Sequence, residues 1–181
     1  MSNIILHTKR LTLRVVTPEV YEEIFKLPES EVMEFFGLTT QKELDKEVKR
    51  FQNGLQTFNK TFLYFQLLDK ETSTIIGWCG YHTWYTDHDR AEIGYGLTSD
   101  EFKRKGLMTE VLSPIIEYGF NEMNLHRIEA FASPENIPSI KLLTFNNFQK
   151  EGLLKEHYLK DGVYEDSAVY ALIRPNSTEF K

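Results

Sequence analysis

Apolar and polar residues follow two different periods along this chain. The segment KRLTLRVV at residues 9–16 alternates with period two, placing Leu11, Leu13 and Val15 on one face, as in a half-buried strand. Similar runs predict further strands at about residues 61–68, 74–84, 90–98, 125–132, 150–159 and 163–173. Apolar spacings of three and four residues predict helices at about 18–26, 41–58, 106–122 and 136–146.

Several residues sharpen the helix predictions. Thr40 and Glu43 have the spacing of a capping box at the start of the helix at 41–58. Pro114 lies inside the helix at 106–122, where it removes one backbone donor, so we expect a kink there. In the last helix, Leu142 and Phe145 are expected to face inward.

The order of these elements predicts a mixed α/β (α+β) fold with a central sheet of about seven strands flanked by helices. Most consecutive strands are joined by short turns, so the sheet should be mostly antiparallel. The helix between strands 90–98 and 125–132 permits one parallel crossing. No repeat or linker divides the chain, so we expect one domain over residues 1–181, with an ordered core at about 7–174.

Composition narrows the possible functions. The 181 residues are 41% hydrophobic and carry 21 basic against 27 acidic side chains, a net charge of −6, which argues against general nucleic-acid binding. Cys79 is the only cysteine, so no internal disulfide can form, and a reducing compartment fits best. We find no secretory signal and no apolar stretch long enough for a membrane span, and therefore expect a cytoplasmic protein without membrane contact.

The segment TSDEFKRKGLMTE at residues 98–110 carries the strongest chemical signal. A strand ends, a loop with three consecutive cations (residues 103–105) follows, and a helix begins directly after Gly106. Such a junction offers free backbone N–H groups and the positive end of a helix dipole to a phosphate. The alternative is a solvated basic loop. Gly94-Tyr95-Gly96 lacks the third glycine of a dinucleotide-binding fingerprint.

A series of motifs in a fixed order adds to this signal. They are AEIGY (91–95), KGLMTE (105–110), EYGF (117–120), LHRIEA (125–130), Asn136-x-x-Ser139, Phe148 with Glu151-Gly152, and Tyr164-x-Asp166. This series resembles the GNAT superfamily of N-acetyltransferases, and within it the RimJ/RimL-type branch, which acetylates N-terminal α-amines of ribosomal proteins. The resemblance spans about residues 8–173. Lys103 stands where the family's pyrophosphate loop has Gln or Arg, and Met108 where it has Gly or Ala.

The resemblance implies an acetyl-CoA site and a primary-amine acceptor. It assigns acetyl-CoA binding to Leu97, Thr98, Lys103, Arg104, Lys105, Gly106, Leu107, Met108, Thr109, Asn136 and Ser139. It also implies that the strands at 90–98 and 125–132 splay around the thioester, with a backbone N–H near Leu97 on its carbonyl. Many members have a Tyr acid where this chain has Leu143, and Ser139 is the candidate proton donor instead.

Each catalytic candidate has a structural alternative. Glu92, on the strand entering the site, is the first candidate for the base, and the alternative is a carboxylate in a salt bridge with Arg90 or Arg127. Ser139 could instead satisfy backbone groups of a first helical turn, and Asn136 could be a plain N-cap. The remaining polar candidates near the acceptor are Glu156, His157, Tyr158 and Asp166, of which Asp166 more plausibly supports a hairpin.

We therefore predict direct acetyl transfer from acetyl-CoA to a primary amine, without a covalent enzyme intermediate and without a metal. Deprotonating an α-amine of pKa near 8 at pH 7 costs only ~1.4 kcal/mol, against ~4.6 kcal/mol for a lysine-type amine, so an N-terminal acceptor needs no strong base. Alternatives are a non-catalytic acyl-CoA-binding module and an acetyltransferase of a polyamine or aminoglycoside. Carboxylates at 29–34 and 151–165 could bind a cationic acceptor, and aromatic residues near Trp84 and Tyr85 could line its pocket. The last hairpin or the helix at 41–58 could form the interface of a homodimer. The cluster of Cys79, His82 and Asp87–Asp89 is not expected to bind metal.

Overall fold

A computed structural model describes residues 5–57 and 60–175 of the chain. These residues form eight strands and five α-helices. In chain order they are β1 (Ile5–His7), β2 (Leu11–Val16), α1 (Pro18–Ile24), α2 (Glu29–Phe36), α3 (Gln41–Gln52), β3 (Thr61–Asp69), β4 (Ile75–Tyr85), β5 (Arg90–Leu97), α4 (Leu107–Asn121), β6 (Arg127–Ala132), α5 (Ile137–Phe145), β7 (Gln149–Lys160) and β8 (Val163–Ile173). Among the described helices, none is long and apolar enough to cross a membrane.

All strands belong to one sheet, in the order β1-β2-β3-β4-β5-β6-β8-β7. Every neighbouring pair is antiparallel except β5 and β6, which run parallel and are connected through α4. This confirms the predicted mixed fold with its single parallel crossing. The spacing of apolar residues changes from two to three or four where α4 begins, and this change marks the crossover helix between β5 and β6.

The structure adds two elements that the sequence pattern did not predict. β1 has three residues, too few for a visible alternation. α2 follows Pro28, and no side chain caps its first turn, so it lacks the Ser/Thr signal that marked α3. α3 begins with the predicted capping box of Thr40 and Glu43, but ends at Gln52 rather than near residue 58. Phe58 and the tail beyond residue 175 lie outside the described residues.

The prediction that Phe145 faces inward is wrong. Its side chain is 73% exposed at the last residue of α5, whereas Leu143, two residues earlier, is 1% exposed in the core. The two differ by about 200° around a helix, so burial of one turns the other outward. Leu142 packs partly buried against the core, as expected. Pro114 lies within α4, and a kink there stays a prediction.

The helices divide between the two faces of the sheet. α4 and α5 cover one face and bury the larger core, with Leu112, Ile115 and Leu143 packed on the strands. α1, α2 and α3 cover the other face, where a smaller cluster forms around Tyr21 and Phe62. Alternating strand residues therefore project into two different environments on either side of the same backbone.

The two central strands, β5 and β6, separate after a short paired stretch. Residues 90–92 pair with residues 127–129, and the described residues show no pairing between the two strands beyond that point. β6 continues alongside β8 to Ala132, while β5 continues alongside β4 to Leu97. The predicted splay is thus present, and it leaves one edge of β5 free in the middle of the sheet.

At Gly119, α4 packs so closely on the Tyr81 side chain of β4 that a substitution there tests this contact. A Cβ at this position would lie 2.2 Å from the Tyr81 hydroxyl oxygen, which donates a buried hydrogen bond of 2.8 Å to the carbonyl of Ile115. We expect Gly119→Ala to lower the free energy of unfolding by about 1–3 kcal/mol, despite the better helix propensity of alanine. Urea denaturation measures the change, with Ser113→Ala on the exposed side of α4 as the control. An unchanged or higher stability for Gly119→Ala would contradict the packing.

Candidate active site

A cavity of about 660 Å³, here called the loop cavity, lies where β5 ends and α4 and α5 begin. It brings together most residues of the predicted acetyl-CoA site. Those in its lining are Leu97, Lys103, Arg104, Gly106, Leu107, Met108, Thr109, Asn136 and Ser139. Thr98 lines a cavity on the opposite face of the sheet, and Lys105 lies outside the lining, with its ammonium over the ring of Phe102.

The start of α4 has the geometry of an anion site. Gly106 is the N-cap residue, with a φ of 71° that disfavours side chains, and no side chain caps this helix. No described residue accepts a hydrogen bond from the backbone N–H groups of residues 107–109. A helix of 15 residues therefore presents free donors and its positive dipole end to the cavity. The loop and helix start thus fit a diphosphate.

A set of hydrogen bonds around Arg10 and Glu110, here called the clamp, holds this loop and was not predicted from the sequence. The Arg10 guanidinium donates to Glu110 at 2.7 Å and to the carbonyl of Lys105 at 2.9 Å. The Thr8 hydroxyl also donates to Glu110, at 2.5 Å. Burial alone would raise the pKa of Glu110, but these hydrogen bonds outweigh it and the pKa is lowered. The N-terminal strand pair therefore anchors the loop through residues that carry no local motif.

Tyr95 is a second site residue that the analysis of the sequence missed. Its hydroxyl lies 2.8 Å from Ser139 Oγ, and both side chains line the loop cavity. Burial raises the pKa of Tyr95 to about 12, with the Ser139 hydrogen bond acting in the opposite direction. The alternation along β5 was the available signal, because it places Tyr95 on the face opposite Glu92.

The structural alternatives were a backbone hydrogen bond for the Ser139 side chain and an N-cap role for Asn136, and the structure shows only the second. The hydroxyl of Ser139 contacts Tyr95, not a backbone group of its own turn. Asn136 does act as the N-cap of α5, because its Oδ1 accepts a hydrogen bond of 3.2 Å from the backbone N–H of Ser139. Its side chain nevertheless stays in the lining of the loop cavity.

The opposite face of the sheet holds a second cavity of about 450 Å³, here called the aromatic cavity. It lies between the strands and the helices α2 and α3. Its lining residues are Phe36, Leu38, Glu47, Arg50, Phe62, Tyr64, Gln66, Ile75, Gly77, Trp78, Tyr81, His82 and Thr98. Gly94 on β5 makes room for this wall, since a Cβ there would lie 2.9 Å from His82 Nε2 and 3.0 Å from the Trp78 ring. Gly94 does not belong to a nucleotide-binding fingerprint, but the absence of a side chain there lets His82 and Trp78 pack close to the β5 backbone.

Glu92 lies beside this cavity with a free carboxyl group. Its Oε1 is 3.6 Å from Nε2 of His82, and its side chain is 14% exposed. Arg90 and Arg127, the proposed salt-bridge partners, both bind Glu129 instead, at 2.8 Å each. No described residue gives the Glu92 carboxyl a hydrogen bond. Burial and, secondarily, the charge of Glu129 raise the pKa of Glu92 to about 7.

The remaining polar candidates lie on a bulge in β7. The pairing with β8 shifts between Leu154 and Tyr158, and Glu156 within the bulge has a positive φ of 49°. Asp166 faces the bulge, accepting hydrogen bonds from the backbone N–H of Glu156 at 2.9 Å and from Lys155 Nζ at 2.7 Å. Asp166 therefore stabilises the hairpin of β7 and β8, which is the structural role that the sequence analysis gave it.

The bulge turns two of its aromatic rings toward the face that carries Glu92. The ring of His157 lies 5.3 Å from that of Phe131 and 4.4 Å from that of Tyr158. Burial and, to a lesser degree, the charge of Glu92 raise the pKa of Tyr158. The hairpin of β7 and β8 thus approaches the face of the sheet that carries Glu92, although β7 is the outermost strand.

Other candidates lie away from both cavities. Glu31 and Glu34 line a separate depression on the surface, and Glu151 forms an ion pair with Arg127. Trp84 packs against the core, and no group of three or more metal-ligating side chains occurs among the described residues.

Comparison with known proteins gives consistent matches. The family model described as "Acetyltransferase (GNAT) domain" matches residues 10–149. The uncharacterized N-acetyltransferase YoaA of Bacillus subtilis (strain 168) is 32% identical, over 94% of this chain and 97% of that protein. The [ribosomal protein uS5]-alanine N-acetyltransferase of Escherichia coli (strain K12) is 34% identical over 64% of this chain and 59% of its own length. Spermidine N(1)-acetyltransferase of the same strain is 30% identical over 44% and 42%.

A solved structure shares the fold at lower identity. Ribosomal-protein-S5-alanine acetyltransferase from Vibrio fischeri aligns with a TM-score of 0.66 and 23% identity. The alignment covers 94% of this chain and 96% of that one. The whole arrangement of sheet and helices is therefore common to the two proteins.

The raised pKa of Glu92 predicts a pH dependence of stability. Between pH ~4.5 and 7 the unfolded state loses this proton first, so the free energy of unfolding falls as pH rises. Replacing the carboxyl by an amide removes this loss. We expect Glu92→Gln to be more stable than the parent at pH 8, by up to about 3 kcal/mol, and similar at pH 4.5. Denaturant titrations at both pH values measure this, with the exposed Glu117→Gln as control. Equal stability of Glu92→Gln and parent at pH 8 would contradict the burial of this charge.

Proposed function

The chain belongs to the GNAT family of N-acetyltransferases, and from that premise we propose that it transfers an acetyl group from acetyl-CoA to the N-terminal α-amine of a peptide or protein. The observation that carries the choice of acceptor is Glu92. Its carboxyl group is mostly buried, free of hydrogen bonds from the described residues, and beside a cavity on the face of the sheet opposite the loop cavity.

The loop cavity supports acetyl-CoA as the donor. The free N–H groups at residues 107–109 and the cations Lys103 and Arg104 suit the diphosphate. Lys103 also pairs with Asp100 at 2.5 Å, so Arg104 and the backbone donors carry more of this interaction. The free edge of β5 offers backbone groups to an extended amide-bearing chain, in the manner of strand addition. Asn136 lies where it can bond the same chain.

The pKa of Glu92 favours an α-amine over a lysine-type amine. Moving a proton from an ammonium of pKa about 8 to a carboxylate of pKa about 7 costs about 1.4 kcal/mol. The same transfer from a primary amine of pKa about 10.4 costs about 4.6 kcal/mol. Glu92 is therefore a sufficient base for an N-terminal acceptor and a poor one for a polyamine.

In the proposed reaction the donor and acceptor approach from opposite faces of β5. The amine nitrogen bonds to the acetyl carbonyl carbon, the C–S bond of the thioester breaks, and its electron pair leaves with sulfur. Glu92 accepts the proton that turns the ammonium into the attacking amine, on the side of the aromatic cavity, and the second proton of the new amide nitrogen passes to water. The Tyr95–Ser139 pair donates a hydrogen bond to the departing thiolate from the other side. With a pKa of about 12, Tyr95 stabilises the thiolate without having to protonate it.

The arrangement also bears on the alternatives. Leu143 in place of a Tyr acid, Met108 in the loop and the weak acid Ser139 would motivate a binding module without turnover, and Leu143 is buried in the core. Tyr95 and Ser139 supply hydroxyl groups in its place, which supports catalysis. A polyamine needs several carboxylates, whereas the aromatic cavity is lined by one, Glu47, which already accepts a hydrogen bond from Tyr21 at 2.9 Å.

Gly106 tests the donor site. Gly106→Asp and Gly106→Asn add side chains of nearly the same shape to a left-handed position, and both residues are good helix N-caps. Only the Asp variant sets a negative charge against the diphosphate. We expect calorimetric titration to show acetyl-CoA binding at least about 100-fold weaker for Asp than for Asn. Equal affinities of the two variants for acetyl-CoA would show that the diphosphate does not bind at this loop.

A thiol-release assay tests the acceptor and the base together. We expect turnover with peptides beginning in Ser, Ala or Met, and little with spermidine or an aminoglycoside. For the parent, kcat/KM should fall as pH drops below about 7. Glu92→Gln should lower kcat/KM by about 100-fold or more, shift the acidic limb of the profile from about 7 to the pKa of the acceptor amine, about 8, and leave acetyl-CoA affinity unchanged. A variant with the parental profile would exclude Glu92 as the base, and efficient turnover of spermidine alone would exclude the α-amine acceptor.

A further inference from the structure

Arg50 occupies an unusual position in the wall of the aromatic cavity. It lies in the last turn of α3, and its guanidinium is 5.5 Å from the ring centre of Tyr21, 5.6 Å from that of Phe62 and 6.0 Å from that of Tyr64. Three aromatic faces therefore hold a cation at the cavity. The long arginine stem packs over rings while its charged end stays half exposed.

The hydrogen-bonding capacity of this guanidinium is largely unused. Its nearest carboxylate is Glu47, with Nη1 3.9 Å from Oε2, beyond hydrogen-bond distance. That same oxygen of Glu47 accepts the hydroxyl of Tyr21 at 2.9 Å. Within residues 5–57 and 60–175, the Arg50 guanidinium forms no hydrogen bond. A guanidinium has five N–H donors in a planar fork, which matches the two oxygens of a carboxylate.

The proposed base, Glu92, lies next to the cavity that Arg50 lines. His82 lines the aromatic cavity together with Arg50, and Glu92 touches His82 at 3.6 Å. Burial and then the charge of Arg50 lower the pKa of His82, so the imidazole stays neutral and the cation of this cavity is Arg50. An acceptor amine at Glu92 thus places the rest of the molecule among Trp78, Tyr64 and Arg50.

We propose that Arg50 binds a carboxylate of the acceptor, so that the preferred substrates are peptides with an acidic side chain in their first two residues. This proposal rests on the N-terminal acceptor proposed above and makes it more specific. One extended residue spans about 3.5 Å, so such a carboxylate stays within the reach of a cavity that takes the N-terminus. The same arginine repels polycationic acceptors, since Glu47, the carboxylate beside it, is already bonded to Tyr21.

The test compares peptides that differ in one charge. Ala-Glu, Ala-Gln and Ala-Lys peptides of otherwise identical sequence, a Glu-Ala and Gln-Ala pair, and spermidine serve as acceptors with saturating acetyl-CoA. For the parent, we expect kcat/KM about tenfold or more higher for the better Glu peptide than for its Gln counterpart, mainly through KM. Arg50→Gln should remove this preference, and Arg50→Lys should keep part of it. Lys49→Gln, the same charge change on an exposed neighbour in α3, should leave it intact.

The possible outcomes separate this proposal from the proposed function. Turnover of all peptides without a Glu preference, or a preference for Ala-Lys or spermidine, would overturn the role of Arg50 and leave the transferase intact. Absence of turnover with every acceptor would count against the proposed function. Peptide binding to the CoA-saturated protein then decides: a Glu preference that Arg50→Gln abolishes supports the carboxylate site, and equal binding of Glu and Gln peptides overturns it.

Discussion

The separation of β5 from β6 is the constraint on which the rest of the structure depends. Three residue pairs join the two strands, and beyond Glu92 the edge of β5 has no strand beside it, in the middle of an eight-stranded sheet of the described residues. A free edge leaves backbone N–H and C=O groups without partners, which a protein normally avoids or covers. Here the open edge faces the N-termini of α4 and α5, so a ligand that pairs with β5 also meets the free donors at Gly106.

The sheet also divides the chemistry into two compartments. Tyr95 and Glu92 lie three residues apart on β5 but point to opposite faces, so one lies with Ser139 and the other with His82. The face proposed for the donor is built from helix starts, backbone donors and cations. The face proposed for the acceptor is built from aromatic rings on β3, β4 and α2, with few charges. In the proposed reaction the two substrates meet at the gap between the strands.

The electrostatics at the gap depend on how two arginines, Arg90 and Arg127, are shared between two carboxylates, Glu92 and Glu129. Glu92 and Glu129 are register partners on β5 and β6, and two arginines bind Glu129. Burial and, secondarily, the charge of Glu129 raise the pKa of Glu92 to about 7. A more even sharing of the arginines would stabilise both carboxylates and leave no base near neutrality.

Local patterns in the sequence determined the strand at 9–16 and those from 61 onward, the single parallel crossing, the capping box of α3 and the loop ending at Gly106, because each depends on neighbouring residues only. The motif order also indicated the family, and Glu92, Asn136 and Ser139 were named as site residues before their surroundings were known. Only the tertiary structure decided which groups meet across the sheet. The Arg10–Glu110 clamp, the Tyr95–Ser139 contact, the Arg90–Glu129 ion pair and the position of Arg50 over Tyr21, Phe62 and Tyr64 all join residues distant in sequence. Such contacts follow from the packing of helices on a particular face of the sheet, and periodicity along the chain carries no information about the partner on the other side.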